Sequence, residues 1–179
     1  MRINFTTYDG RRSQEAINSF SSHNNIIVLN GSQGDDQYSA KRHPFRYARV
    51  LGTHHANVVY VGPGIVNYQP IRMEFLWVRW YELMETGNGW ESRKLDRVRF
   101  PSVNEDDAFG FVDPLDVLRS CHIIPAFAWG KLRQDSMGLS RPARDSSDWM
   151  TYYVNRCVYH PWGYWPCLTT QTGLLTVTC

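Results

Sequence analysis

The sequence predicts a mostly-β domain, folded as a small, strongly bent β-barrel with one short helix. Residues 73–81 (MEFLWVRWY) are apolar on both faces of an extended strand, which is typical of a strand covered on two sides. Residues 109–127 then place a strand end, a capped helical turn and a second apolar strand directly after one another. That succession indicates a closely bent β-structure. An α+β arrangement is the alternative fold class.

The other strands follow from alternating polarity and from turn residues. Residues 2–8 alternate Ile3 and Phe5 with polar neighbours, and residues 26–29 are β-branched and apolar. Residues 45–51 and 56–61 predict a hairpin linked by residues 52–55. Residues 73–82 predict the longest strand, and residues 95–100 a strand with Val98 and Phe100 on one face. Two stretches are each open to two interpretations. Residues 12–20 form a short helix or an irregular link, and residues 149–156 form a short helix or a closing strand.

The one predicted helix begins at Asp113. Its side chain can accept hydrogen bonds from free backbone N–H groups, and Pro114 fits the first helical position, where no N–H is needed. Asp116 in the first turn favours the positive end of the helix dipole. The helix must be short, because residues 122–125 return to an extended pattern.

Composition restricts the classes of protein to consider. The chain has 179 residues, which suits one domain, and 14% aromatic residues, which argues against disorder. Nineteen basic and seventeen acidic residues give a net charge of +2, too little for the broad positive field of a dedicated nucleic-acid-binding protein. Local basic clusters remain, one of them formed by Lys131, Arg133, Arg141 and Arg144.

The sequence predicts an intracellular protein. The first residues lack the apolar core and cleavage site of a signal peptide, so we expect no secretion. No stretch approaches the roughly 18 apolar residues that a membrane helix needs, so we expect no membrane partner. The four cysteines, Cys121, Cys157, Cys167 and Cys179, are scattered, which favours reduced thiols.

A change in composition predicts a domain boundary after Arg156. Residues 157–179 contain no Asp, Glu, Lys or Arg and are rich in Trp, Tyr, Pro and Thr. We expect residues 1–156 to form the β-barrel-like domain, and the charge-free tail, residues 157–179, to pack poorly on it.

Several motifs together resemble one family. The chain is similar to a region near the C-terminal end of large proteins encoded by fungal, mostly basidiomycete, DNA transposons of the Plavaka and Kyakuja-Dileera-Zisupton type. The match covers roughly residues 3–156, and the tail departs from it, as expected of a truncated or degraded copy. The matching motifs are residues 4–9 (NFTTYD), 11–12 (RR), 13–18 (SQEAIN), 43–52 (HPFRYARVLG), 55–57 (HAN), 73–81, 95–100 (LDRVRF), 107–114 (DAFGFVDP), 121–127 (CHIIPAF) and 149–156 (WMTYYVNR).

The resemblance implies an accessory module without catalytic activity. The transposase core of these proteins lies elsewhere, and nothing in this chain matches its carboxylate motifs. The order of elements is also similar to SH3-like, bromo-adjacent-homology-like and Tudor-type barrels that bind chromatin, a likeness of architecture that says little about function. The implied partners are protein (transposase or chromatin) or nucleic acid, and the implied location is the nucleus.

Catalytic and metal sites are not expected. Cys157, His160 and Cys167 are zinc-ligand types but provide one loose pair, whereas a closed zinc site usually needs two pairs. Cys121 and His122 are neighbours in an extended segment, so their side chains face opposite sides and cannot act as a nucleophile–base pair. We therefore expect no enzyme and no cofactor, and a small hydrolase or metal-dependent enzyme is a rival interpretation.

Binding residues are predicted on the central strands. Tyr47, Trp77 and Tyr81 could form an aromatic cage for a methylated lysine, as in a chromatin reader, with Trp80 facing away. The alternative is that these rings are core. Arg79, Arg97 and Arg99, together with Arg46 and Arg49 on a neighbouring strand, could form a basic face for nucleic acid, or could be edge charges that prevent aggregation.

Overall fold

The computed structural model describes residues 1–6, 12–30, 43–63, 69–84 and 95–155, without the side chains of residues 5, 6 and 13. This part of the chain is mostly β-structure, and its helical pieces are single 3-10 turns. The mostly-β class predicted from the sequence is confirmed. The strands are β1 (Arg2–Thr6), β2 (Arg12–Ala16), β3 (Asn25–Leu29), β4 (Phe45–Val58), β5 (Ile71–Leu83), β6 (Asp96–Arg99), β7 (Phe109–Val112), β8 (Val117–Ser120), β9 (His122–Pro125) and β10 (Tyr152–Asn155).

The strands form two antiparallel sheets. β1 and β2 make a separate hairpin. The larger sheet has the order β8-β3-β4-β5-β6-β10-β9, and β7 also pairs with β5. β5 is the central strand, because β4 lines one of its edges while β7 and β6 share the other.

The larger sheet is not the closed barrel that the sequence predicts. Among the described residues no hydrogen-bonded pairing joins its end strands, β8 and β9, which have four residues each. These two strands are consecutive in the chain, with Cys121 alone between them, and the Cys121 N–H donates to the Asn25 carbonyl at 3.0 Å. The chain therefore turns at Cys121 from one end of the strand order to the other.

Three local predictions need correction or completion. The hairpin predicted across residues 45–61 is wrong, because β4 is one continuous strand with a bulge between Val50 and Gly52 and pairs along its length with β5. The Gly-Thr-His-His link lacks the residue pair that favours a tight turn, so the strand bends and continues. Residues 12–16 form a strand, so neither a short helix nor an irregular link describes them. Of the two interpretations of residues 149–156, the closing strand is correct, and it spans Tyr152–Asn155.

The predicted helix start is confirmed, although the element is a single 3-10 turn, Pro114–Asp116. The Asp113 side chain accepts a hydrogen bond from the Leu115 N–H at 2.8 Å, and Pro114 occupies the first turn. Two further 3-10 turns, Phe127–Trp129 and Asp145–Ser147, were not predicted.

Alternation along β3, β4 and β5 produces two cores, one on each face of the sheet. Successive strand residues point to opposite faces, so Ile26 and Ile27 enter different cores. The first core lies on the side of the β1–β2 hairpin and contains Ile3, Ile17, Ile26, Val28, Ala48, Val50, Leu76, Val78, Val112 and Val117. The second contains Ile27, Phe45, Tyr47, Tyr81, Val98, Phe100, Cys121, Ile123, Tyr152 and Val154.

β4 and β5 continue beyond both cores as a two-stranded ribbon. We call residues 52–58 with residues 71–75 the arm. Its pairs run from His54 opposite Phe75 to Val58 opposite Ile71. Residues 53–58 and 71–74 are all exposed, so the arm projects from the packed part of the domain.

Across the described ranges, no helix has both the length and the apolar character required to cross a membrane.

Candidate functional site

The six residues predicted to bind a partner divide into an interior and an outer group. Tyr47, Arg79 and Tyr81 are 2%, 1% and 7% exposed, so they lie inside the second core region. Trp77 and Arg97 are half-buried, and Arg99 is exposed. Trp80 packs against the first core, on the other face from Tyr81, as the alternation predicts. The structure therefore does not bring the six side chains together at one surface.

Arg79 belongs to a buried ionic cluster. Its guanidinium donates to Asp148 Oδ2 at 2.5 Å, and Arg49 donates to Asp148 Oδ1 at 3.2 Å. Both guanidinium groups also lie over the Phe100 ring, at 4.0 and 4.4 Å from its centroid. Burial by itself would lower the pKa of Arg49, but Tyr81, Tyr152 and Asp148 raise it above its ordinary value. Through these two ion pairs Asp148 links residues 145–150 to β4 and β5.

The two buried tyrosines are fixed by hydrogen bonds. The Tyr47 hydroxyl donates to Asp96 Oδ2 at 2.6 Å, and His43 Nε2 lies 3.0 Å from the same oxygen. The Tyr81 hydroxyl donates to Asn25 Oδ1 at 3.0 Å, and burial raises the pKa of this phenol. Tyr81 also stacks on Phe100 with the ring centroids 4.1 Å apart. These contacts give both rings a structural role in the core.

A group of aromatic and basic side chains lies together on the outer surface. After β9 the chain forms the turn Phe127–Trp129, continues through Gly130 at a φ of 76°, and pairs Lys131 with Trp149. The positive φ suits glycine, which has no Cβ to clash. We call this group the basic–aromatic surface: Arg97, Phe127, Trp129, Lys131 and Trp149.

Each cation of the basic–aromatic surface lies over a ring. The Arg97 guanidinium is 5.2 Å from the Trp129 centroid, and Lys131 Nζ is 5.9 Å from that of Trp149. Phe127 meets Trp149 edge-to-face at 4.9 Å. Phe127 and Trp129 remain 66% and 58% exposed, so their rings are available to a ligand.

Two of the three carboxylates in residues 127–150 lie away from the surface of this region. Residues 127–150 contain four basic residues, Lys131, Arg133, Arg141 and Arg144, and three acidic ones, Asp135, Asp145 and Asp148. Asp145 and Asp148 are 4% and 1% exposed, which leaves Asp135 as the acidic residue at the surface of this segment. Burial would raise the pKa of Asp145, but hydrogen bonds from the Ser140 and Leu139 N–H groups outweigh it and lower that pKa.

β6 carries two of the predicted arginines, and one of them, Arg97, belongs to this surface. Arg97 and Arg99 alternate with buried Asp96 and Val98, so both point outward. Arg99 donates to Glu82 Oε2 at 2.8 Å between two half-exposed side chains. Arg97 lies opposite Tyr153 of β10 and therefore connects β6 to the basic–aromatic surface.

Sequence reasoning identified the basic residues of this surface but missed its rings. Residues 127–131 read Phe-Ala-Trp-Gly-Lys, which puts two aromatic residues and a cation next to a glycine. This run of five residues was the local signal from which the two rings could have been predicted. The pairing of Lys131 with Trp149 is a long-range contact that no local pattern contains.

The remaining chemistry candidates add no second site among the described residues. In that part of the chain no three His, Cys, Asp or Glu residues come together to hold a metal ion. Cys121 is buried and free, and burial raises the pKa of its thiol, which disfavours the reactive thiolate. Cys157, His160 and Cys167, like the whole tail, lie outside the described residues.

Comparison of the chain with family models, with curated proteins and with solved structures finds no match. The functional argument therefore depends on the geometry of the basic–aromatic surface.

Proposed function

We propose that this chain is a non-catalytic module that binds single-stranded nucleic acid through the basic–aromatic surface. The observation that carries the proposal is the pairing of rings with adjacent cations: Arg97 lies over the exposed Trp129 ring, and Lys131 lies over the half-buried Trp149 ring. Proteins that bind single strands combine a basic track for phosphates with aromatic rings on which bases stack. By resemblance, the module would be an accessory part of a transposon-derived protein acting in the nucleus.

The distribution of charge supports a negatively charged ligand. Two of the three carboxylates of residues 127–150 are buried, and Asp148 already pairs with Arg49 and Arg79. Lys131 and Arg141 are exposed on the same segment. Their local field would attract phosphate groups even though the net charge of the whole chain is only +2.

The same geometry favours nucleic acid over a methylated histone tail. A methyl-lysine cage needs ring faces that are free to surround a cation. Here the protein's own Arg97 and Lys131 lie over two of the three rings. A basic peptide would be repelled by both cations, whereas the phosphates of a nucleic acid would be attracted to them.

Binding of a fluorescein-labelled single-stranded DNA of about 20 nucleotides, followed by fluorescence anisotropy, tests the proposal. We expect the affinity to fall steeply between about 50 and 200 mM salt, because bound phosphates release counterions. Trp129→Ala should weaken binding by about five- to a hundredfold, since stacking contributes about 1–3 kcal/mol per base. Lys131→Gln should reduce the slope of affinity against salt.

Matched controls come from the arm and from the residues that follow β4. Tyr60→Ala removes an aromatic ring that is 71% exposed just after β4, and Arg72→Gln removes an exposed cation of the arm. Neither should change the affinity for DNA. A flat response to salt, or equal losses in the control variants, would refute the proposal, and tighter binding of a trimethyl-lysine histone peptide would favour the chromatin-reader alternative.

A further inference from the structure

The arm carries one apolar face and one polar face. Side chains directly opposite each other in an antiparallel pair lie on the same face. Ala56 and Val58 therefore share a face with Met73 and Ile71. Phe75 and the His54 ring opposite it, which stack with their centroids 5.8 Å apart, continue this face. The other face carries His55, Asn57, Arg72 and Glu74, where Arg72 and Glu74 form an ion pair at 3.2 Å.

The apolar face is exposed and extends onto β7. Val58, Met73 and Ile71 are 41%, 52% and 65% exposed. Phe111 of β7 lies opposite Trp77, is 71% exposed, and meets Phe75 edge-to-face at 5.3 Å. A contiguous group of large exposed apolar side chains on a soluble domain marks an interaction surface rather than ordinary surface.

We propose that the apolar face of the arm is a homodimer interface, in which the arms of two copies pack face to face about a twofold axis. In such an isologous contact each patch meets its own copy. The face formed by His54, Ala56, Val58, Ile71, Met73, Phe75 and Phe111 has no Asp, Glu, Lys or Arg, so twofold packing brings no carboxylates, ammonium groups or guanidinium groups together. The ion pair of Arg72 with Glu74 points away from the contact.

The available area supplies more than half of the apolar part of a dimer interface of ordinary size. Side chains such as Val, Ile and Met offer about 60–120 Å² each, and a Phe offers about 150–250 Å². The exposed fractions of Val58, Ile71, Met73 and Phe111 therefore leave on the order of 300 Å² of apolar surface per copy. A standard interface buries about 800 Å² per partner, a little more than half of it apolar. Two sheets packed about 10 Å apart would cover these side chains.

This interface does not depend on the proposed nucleic-acid surface. The arm lies at the Ile71 end of β5, whereas β6, which carries Arg97, pairs with the other end at Glu82 and Leu83. A DNA-binding measurement and a measurement of molecular mass therefore report on separate surfaces.

Sedimentation velocity of the full chain between about 1 and 100 µM tests the proposal, because a dimer shifts towards monomer on dilution. We expect a dimer at the upper concentrations. Met73→Lys places an unpaired charge in the contact and should raise the dissociation constant at least about tenfold. Asn57→Lys adds the same charge to the polar face and should leave the dimer unchanged.

Three results would overturn the proposal. The wild-type chain could remain monomeric throughout the range, Met73→Lys could dimerise as well as the wild type, or Asn57→Lys could be equally disruptive. Thermal melting of each variant shows whether it is folded. If Met73→Lys is unfolded, Phe111→Ser, a change at an exposed position of the same face, replaces it and must also weaken the dimer.

Discussion

At the scale of single residues, Asp148 is the carboxylate that joins two arginines and a tyrosine. It is 1% exposed and accepts from Arg49, Arg79 and the Tyr152 hydroxyl. Two of these partners are cations that are themselves removed from most water. Asp148 is thus the counterion that compensates the positive charges of two largely buried arginines.

Asp148→Asn should destabilise the domain by about 3–5 kcal/mol, because removing one member of a buried ionic group leaves the others uncompensated. The change in the free energy of unfolding can be measured by urea denaturation. Asp135→Asn is the matched control at an exposed position of the same segment, and we expect a change within about 0.5 kcal/mol. Equal effects at the two positions would contradict a buried ionic cluster.

Buried acidic groups predict a loss of stability in alkali. Burial raises the pKa of the Cys121 thiol above its ordinary value of 9.0 and that of the Tyr81 phenol above 10.0. A group whose pKa is higher in the folded state stabilises fully below its unfolded pKa, and that stability is lost as the pH rises. The urea midpoint should therefore fall above about pH 9, as the unfolded chain ionises first.

Cys121→Ser separates the two contributions, because it removes the buried thiol and keeps the three other cysteines. We expect a smaller fall in the urea midpoint between about pH 8 and 10 than in the wild type. An unchanged profile would mean that Cys121 is not buried in the folded chain.

At the scale of elements, two glycines of the sheet differ in what surrounds them. A Cβ at Gly110 of β7 would lie 2.5 Å from Nε1 of Trp80. That indole packs on the first core and has the Arg46 guanidinium 3.9 Å from its centroid. A Cβ at Gly52 would also meet a ring nitrogen at 2.5 Å, but it belongs to the exposed His54.

Gly110→Ala should therefore destabilise by about 1–3 kcal/mol, since the Trp80 ring must leave a packed position. Gly52→Ala should change the free energy of unfolding by less than about 0.5 kcal/mol, because the His54 ring can swing into solvent. Thermal or urea unfolding of the two variants provides the comparison. If Gly52→Ala lowers the free energy of unfolding as much as Gly110→Ala does, a clash with the Trp80 ring is not the cause of the destabilisation.

At the scale of the whole molecule, the described members of the two cores extend from Ile3 to Val154. Deletion of residues 157–179 should leave the melting temperature within about 3 °C of the full chain, since the charge-free composition of this segment predicts that it packs poorly on the domain. A drop of about 10 °C or more would show that the tail packs as part of the domain.

The sequence predicts the strands of this molecule better than their arrangement. Periodicity located β3, β5 and β6, and the Asp113–Pro114 pair located the first 3-10 turn, because these signals are local. The path of β4 through Gly52 was missed, since a bulge and a turn both use glycine and only the partner strand distinguishes them. Burial of Arg79 was also missed, because its counterion, Asp148, is distant in sequence and enters from another segment.

The candidate site was also predictable only in part, because some of its residues follow from local patterns and others from long-range contacts. Arg97 was identified because alternation placed it on the outer face of a short strand. Trp129 and Trp149 reach the same surface through the pairing of Lys131 with Trp149, which joins segments on either side of a long polar excursion. A single sequence contains no local sign of that pairing.

The strand order also has a consequence for the time course of folding. β3 is covered on one edge by β8, and Ile26 pairs with Ser120, roughly ninety residues later. At about 5–20 residues per second, synthesis brings that partner only after about 5–20 s. During that interval the apolar β3 lacks its hydrogen-bonded partner β8. Pairing between residues so far apart in sequence should also make refolding slow, in the millisecond-to-second range of β-rich domains.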